Sequence, residues 1–339
     1  MKIKTYKLKL KTLSNLHIGS GETLLTFDYL IDNNKFYYID ENLLTSKLVE
    51  NNLEDKFINI INNTNYNKYR NLKYIFNQLN IMDYKEITKK IYSGNIAKQR
   101  ANRNIEKFIR NGNDELYIPG SSIKGFMSNV LKLNQNEAKN LSISDSKVIN
   151  EKNIFITTVN YFSEIYGEKR KRNPLPKDGQ SNYVEFIKPN TEVEFVVKMP
   201  EEYLTKFIKN LKIYNNNYYE HFIRHFAETN EKFDYTNFEE HDSYINDNVF
   251  RIGKYTNFLL KTEHLNYKYK SEYELFDKLV KGNLRNFFGT RINKRNRKMF
   301  EKSDDLALYP ISMKLSITPN NHYFENGVCK YSFEELKWD

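Results

Sequence analysis

The chain has 339 residues, enough for one large domain or two ordinary ones with a buried core. Its 53 Lys and Arg outnumber 43 Asp and Glu, and the net charge of +10 favours a polyanionic partner over a small neutral substrate. A single cysteine, Cys329, excludes an intrachain disulfide, a four-cysteine zinc site and an iron–sulfur cluster carried by this chain alone.

Hydrophobic residues make up only 39%, but 26 Tyr and 23 Phe supply the bulk for an aromatic core, so a globular chain is expected. The opening MKIKTYKLKLKTL has no apolar run of signal-peptide type, and no later segment approaches the apolar length that spans a bilayer. A cytoplasmic protein with no membrane partner is expected.

Residues 6–13 alternate, with Tyr6, Leu8, Leu10 and Thr12 on one side and Lys7, Lys9 and Lys11 on the other, which predicts a strand with one buried and one basic face. A turn-rich loop, Ser14 to Glu22, follows with Gly19 and Gly21. The segments 26–30 and 36–40 flank Asp32-Asn33-Asn34-Lys35 and predict a hairpin. From about Glu41 to Arg110 the spacing of Leu43, Leu44, Leu48 and Leu53, then Ile87, Ile91 and Ile96, predicts a mostly helical insertion.

Residues 117–131 predict an extended stretch ending at Pro119-Gly120, a cap from Ser121 or Ser122, and a helix that buries Ile123, Phe126, Met127, Val130 and Leu131. The charged, Pro- and Gly-containing segment 168–182 is the expected domain boundary. Beyond it, 183–199 predicts two strands around a Pro-Asn turn, 202–230 a helix, 249–262 strand and loop, and 309–318 a strand.

The Gly120 to Gly125 turn sets backbone N–H groups and a helix start beside Lys124, the ordinary physics of holding a phosphate. It lacks the Gly-Lys-Ser/Thr ending of a nucleotide-binding P-loop, and a capped helix start remains the alternative. His17 is a candidate general base for RNA cleavage by a 2′-hydroxyl, against a structural role in its loop. His221 and His225 stand four apart, but Phe222 occupies the glutamate position of a zinc-protease motif. Arg285, Arg291, Lys294, Arg295, Arg297 and Lys298 interleave with Phe287, Phe288 and Phe300, a pattern suited to single-stranded RNA or, alternatively, to a core with a solvated rim. Lys169 to Arg172 form a second basic run.

Three segments, Leu16-His17-Ile18-Gly19-Ser20-Gly21-Glu22, Tyr117-Ile118-Pro119-Gly120-Ser121-Ser122-Ile123-Lys124-Gly125 and Ile143-Ser144-Asp145-Ser146-Lys147, together resemble the RAMP proteins of type III CRISPR–Cas effectors. Their order and the chain length resemble most the fifth, capping subunit of the type III-A set. The segments YVEFIKPNTEVEF, YPISMKLSIT and Gly327 to Leu336 extend the resemblance into the second half. The family's late glycine-rich loop corresponds here to Arg251 to Thr262, with Gly253 as its one glycine, so Arg251, Lys254 and Lys261 are expected to hold phosphates by charge.

The resemblance implies an α+β fold of two RRM-like (ferredoxin-like β-α-β-β-α-β) modules, residues 1–167 with the insertion at 41–110 and residues 183–339. It implies a non-catalytic subunit without cofactor that binds crRNA, a single-stranded guide, near its 3′ end, caps the filament of RAMP backbone subunits and supports crRNA maturation. Target RNA and maturation nucleases are further expected partners. The RNA-binding residues expected are His17, Gly19, Ser20, Gly21, Gly120, Ser121, Ser122, Lys124, Arg251, Lys254, Lys261 and the cluster Arg285, Arg291, Lys294, Arg295 and Arg297. Related proteins of the same fold process precursor crRNA, and in that alternative His17 is the base. Backbone RAMP subunits cut target RNA with an acidic loop residue and a metal; Asp28 and Asp32 lie in no matching motif and are assigned no cleavage.

Overall fold

The structure, a computed structural model, describes residues 2–63, 72–95, 103–165, 182–218, 249–256, 310–317 and 323–337. In chain order these contain β1 (Ile3–Thr12), β2 (Gly19–Leu24), β3 (Tyr29–Asp32), β4 (Lys35–Ile39), α1 (Glu41–Glu50), α2 (Glu54–Asn63) and α3 (Leu72–Gln78). There follow β5 (Thr88–Gly94), β6 (Ile105–Phe108), α4 (Gly120–Leu131), β7 (Ser142–Ile143), β8 (Ile154–Ile165), β9 (Tyr183–Ile187) and β10 (Glu192–Pro200). The remaining elements are α5 (Glu201–Tyr218), β11 (Val249–Arg251), β12 (Pro310–Ile317), β13 (Tyr323–Glu325) and β14 (Val328–Glu335). No helix among the described residues is long and apolar enough to cross a membrane.

Two sheets organise this α/β chain. The first has the order β11-β14-β1-β10-β7 with every neighbour antiparallel. The alternation in β1 works as expected: Tyr6, Leu8, Leu10 and Thr12 are buried, while Lys9 and Lys11 are exposed. Strand β10 repeats the pattern with Val193, Phe195, Val197 and Met199 inward. Helices α4 and α5 cover that side, where Phe126 meets Phe207 edge-on at 6.4 Å and Phe207 meets Tyr331 at 5.7 Å. The five apolar positions read on the α4 face are all buried.

The second sheet runs β2-β6-β9-β8-β5-β4-β3, with β12 joined to β8 and β13 to β12. The expected hairpin is β3–β4, with Asn33 and Asn34 at φ +47° and +59° as a two-residue turn of this hand requires. Helices α1 to α3 pack Leu48, Leu72, Ile75 and Phe76 on Leu30, Tyr37 and Ile39.

The insertion is helical only in part. After α3 the chain returns to the sheet as β5 and β6, because β5 finds an antiparallel partner in β4 and a parallel one in β8. Of the isoleucines that set the helical spacing, Ile87 is buried under the helices, Ile91 lies on an exposed strand face, and Ile96 is outside the described residues.

The Pro-Asn turn is present, with Asn190 at φ +64°, but the two strands it joins enter different sheets. Strand β9 is buried at all five positions between β6 and β8, whereas β10 pairs with β1. Of the boundary 168–182, all but Asn182 lies outside the described residues, and strands from both sides of it share both sheets.

Candidate nucleic-acid interface

The segment after β1, expected as a turn-rich loop, is threaded through the interior. Residues Ser14 to Ile18 are all buried. Leu16 exchanges both backbone hydrogen bonds with Ile187, Gly327 N–H donates to Asn15 O at 2.7 Å, and Lys254 N–H donates to His17 O at 2.9 Å. Gly253 makes that last approach possible: its φ is +100°, and a Cβ there would lie 2.4 Å from His17 O. Two glycine-containing segments more than two hundred residues apart therefore form one site.

His17 is 1% exposed and packs its ring against Tyr255 at 5.3 Å, Phe186 at 5.9 Å and Phe108 at 6.1 Å. Nδ1 lies 2.7 Å from the Glu185 carbonyl oxygen. A carbonyl only accepts, so Nδ1 carries the proton and Nε2 presents a lone pair. Burial pushes the imidazole pKa down to about 4, so the ring is neutral at physiological pH.

Beneath it lies a charge that the sequence reading did not pick out. The Glu185 carboxylate, fully buried, accepts from Arg110 Nη1 at 2.9 Å, Tyr38 hydroxyl at 2.6 Å and Phe108 N–H at 2.7 Å. Burial opposes the Arg110 charge, but the adjacent Glu185 carboxylate outweighs it, and the guanidinium pKa lies above its ordinary value. A lone Glu in the buried apolar run Tyr-Val-Glu-Phe-Ile is the signal that points to such a pair.

On the solvent side Gly19, Ser20 and Gly21 belong to the edge strand β2, with Gly19 and Gly21 exposed. Two cations border this edge, each with a carboxylate: Lys107 with Glu22 and Lys254 with Glu106, which also accepts from the Tyr255 hydroxyl. Arg251, expected to hold phosphate by charge, lies away from this exposed edge. It is buried, and its Nη1 donates to Asn215 Oδ1 at 3.1 Å, linking β11 to α5.

The helix start at Gly120 is also occupied in a way the sequence reading did not foresee. Pro119 is the N-cap and makes no side-chain cap, and neither serine caps; the Asp145 carboxylate takes the Gly120 N–H at 2.8 Å. Gly120 packs so tightly that a Cβ would lie 2.3 Å from Ile143 O. Ser121 is exposed, and Ser122 and Lys124 are half-buried beside it.

The outer face of the first sheet carries Lys7, Lys9 and Lys11, opposite Val196, Glu194 and Glu192 on β10 and Glu334, Ser332 and Lys330 on β14. It is a mixed lattice more than a basic stripe, with Lys147 paired to Glu194 and Lys9 to Glu334. Lys261, the cluster Arg285, Arg291, Lys294, Arg295, Arg297 and Lys298, the run 169–172, and His221 and His225 lie outside the described residues.

A family model for the RAMP superfamily matches residues 9–331. Among curated proteins, the chain is 26% identical over 254 residues to the CRISPR system Cms protein Csm5 of Streptococcus thermophilus, covering 61% of this chain and 68% of that one. It is 31% identical over 223 residues to Csm5 of Enterococcus italicus, covering 58% of this chain and 60% of that one. The match to Csm5 of Methanocaldococcus jannaschii is 27% identical and spans 42% of that protein's length. In fold, the chain resembles one in the cryo-EM structure of a Csm–crRNA–target RNA ternary complex of a type III-A CRISPR–Cas system, with TM-score 0.67, 15% identity and 96% and 100% of the two chains covered. It also resembles the crystal structure of T. onnurineus Csm5, with TM-score 0.56, 17% identity and 77% and 95% coverage.

Proposed function

The chain belongs to the RAMP superfamily, and from that membership we propose that it is a non-catalytic, guide-RNA-binding subunit of a type III-A CRISPR–Cas effector. In this reading it caps the 3′ end of the crRNA and the filament of RAMP backbone subunits, and supports crRNA maturation. The likeness to proteins named Csm5 carries the proposal. The net charge of +10 and the glycine-lined β2 edge support it.

The first sheet favours the RRM-like part of this reading. In chain order it is β1-α4-β7-β10-α5-β14, and in space β14-β1-β10-β7, the arrangement of a ferredoxin-like β-α-β-β-α-β unit with both helices on one face. Strands from both sides of 168–182 build this unit, so that segment would divide the chain without dividing the sheet.

Burial disfavours His17 as a base in the endoribonuclease alternative. A base for cleavage near neutral pH works best with a pKa near the operating pH and within reach of the substrate, whereas this ring is enclosed and its pKa sits at about 4.

The proposal is tested by binding of single-stranded RNAs across a salt series. Affinity falls steeply with salt and changes little with base sequence. Lys124→Glu lowers affinity by a similar factor for every sequence and reduces the salt slope by roughly 0.7, the share of one lost phosphate contact on a single strand. An unchanged slope and affinity would remove Lys124 from the contacts. Failure of the parent chain to bind RNA at all would remove the function.

A further inference from the structure

A hollow at the surface takes no part in anything described so far. The end of β2 and the turn into β3 meet the start of α1 around an open cavity of about 470 Å³, lined by Leu24, Phe27 and Asp28 from the strand and turn and by Asp40, Glu41 and Leu44 from the helix. Two of its carboxylates shape the backbone: Asp28 accepts from the Leu25 N–H at 2.6 Å, and Asp40, the N-cap of α1, accepts from the Asn42 and Leu43 N–H groups at 3.0 and 3.1 Å. Local folding does not account for the apolar rim. Phe27 is 41% exposed, and Leu25 and Leu43, next in the chain to lining residues, are 56% and 44% exposed. It does not account for the charge either. Three carboxylates meet one cation, Lys89, in a chain of net charge +10, and none of these four groups is in an ion pair with another described residue.

We propose that this hollow receives an extended segment of the adjoining RAMP backbone subunit, an apolar side chain beside a Lys or Arg, seated on Phe27 with its cation against Glu41 and Asp28. The chemistry narrows the occupant. Three carboxylates repel phosphates, so the guide RNA is not what fills it. An apolar anchor point that sheds water within a charged border is how protein interfaces are built. Charge complementarity names the partner. Subunits that hold successive stretches of one guide are basic where they approach it, and the hollow begins at Leu24, the last residue of the β2 edge. A neighbour gripping the adjoining nucleotides therefore brings cations to this place, where carboxylates fix its register and suppress wrong partners. The inference rests on the proposed function and adds the surface by which the cap meets the filament.

The test adds the full-length chain to effector complexes reconstituted from purified subunits and guide RNA. The variant Phe27→Ala with Leu43→Ala, both at exposed positions, melts as the parent does and binds free RNA equally well, but joins the complex about tenfold more weakly, the loss of one interface anchor. Glu41→Lys also weakens joining, and the defect shrinks as salt rises. A photoreactive benzoylphenylalanine placed at Phe27 crosslinks to a Lys- or Arg-containing segment of the adjoining RAMP subunit, located by mass spectrometry. Normal joining by the double variant would overturn the inference, as would crosslinks from position 27 only to RNA, only to a second copy of this chain, or to nothing in complexes that contain it. If the parent chain does not join the complex at all, the proposed function itself fails.

Discussion

Replacing Arg110 with alanine lowers the stability of the fold by about 3–5 kcal/mol, the loss expected when one partner of a buried ion pair is removed. The Glu185 carboxylate is fully buried, and Arg110 gives it two contacts, Nη1 at 2.9 Å and Nη2 at 3.3 Å. Without the guanidinium, the Tyr38 hydroxyl and Phe108 N–H remain, but neither carries the compensating charge. The same arginine also donates to Phe108 O at 3.0 Å and to the Tyr92 hydroxyl at 3.3 Å, tying β6 to β5. Urea unfolding monitored by circular dichroism measures the loss as a shift in midpoint at constant slope. The added change Glu185→Gln recovers a large part of it, since no charge is then left buried. A shift of less than 1 kcal/mol in the single variant, the size of a surface pair, would show that Arg110 is solvated.

Stability also falls in acid through His17. Its pKa in the fold is about 4 against an ordinary value of 6.5. Between those values the unfolded chain binds a proton that the native chain does not, so stability rises with pH across this window and is lost as pH falls through it. The full loss from this one group is about 3 kcal/mol, from a shift of roughly 2.5 units at 1.36 kcal/mol each. Carboxylates held low by cations, such as Glu106 and Glu201, weaken the fold only near and below their ordinary value of 4.5, so the upper part of the window belongs to the histidine. His17→Asn flattens the stability profile between pH 4.5 and 6.5. A parent profile already flat there would mean that the ring takes up its proton in place.

What the sequence disclosed was local. The period of two in β1, the adjacent asparagines of the β3–β4 turn and the apolar face of α4 each depend on neighbours within a few residues, and each is as expected. What it concealed depends on distant partners. Strands β5 and β6 have short, Lys-rich sequences whose conformation is decided by pairing with β4, β8, β2 and β9. The closing of Gly253 onto His17 joins two segments that carry no common periodicity. Glu185 was legible as an isolated charge in an apolar strand, but its partner, 75 residues away, was not. Arg251 reads as a phosphate-holding charge in a loop with one glycine, and its burial with a bond to Asn215 depends on a helix that the local sequence does not announce.

The proposed role places this chain at the 3′ end of a guide RNA within a type III-A assembly. It is tested most directly by photocrosslinking in reconstituted effector complexes whose guide carries 4-thiouridine at one position at a time. Crosslinks to this chain are expected to concentrate at the 3′-terminal nucleotides and to fade toward the 5′ end. Crosslinks confined to the 5′ portion, or none in complexes that contain the chain and a full-length guide, would contradict it.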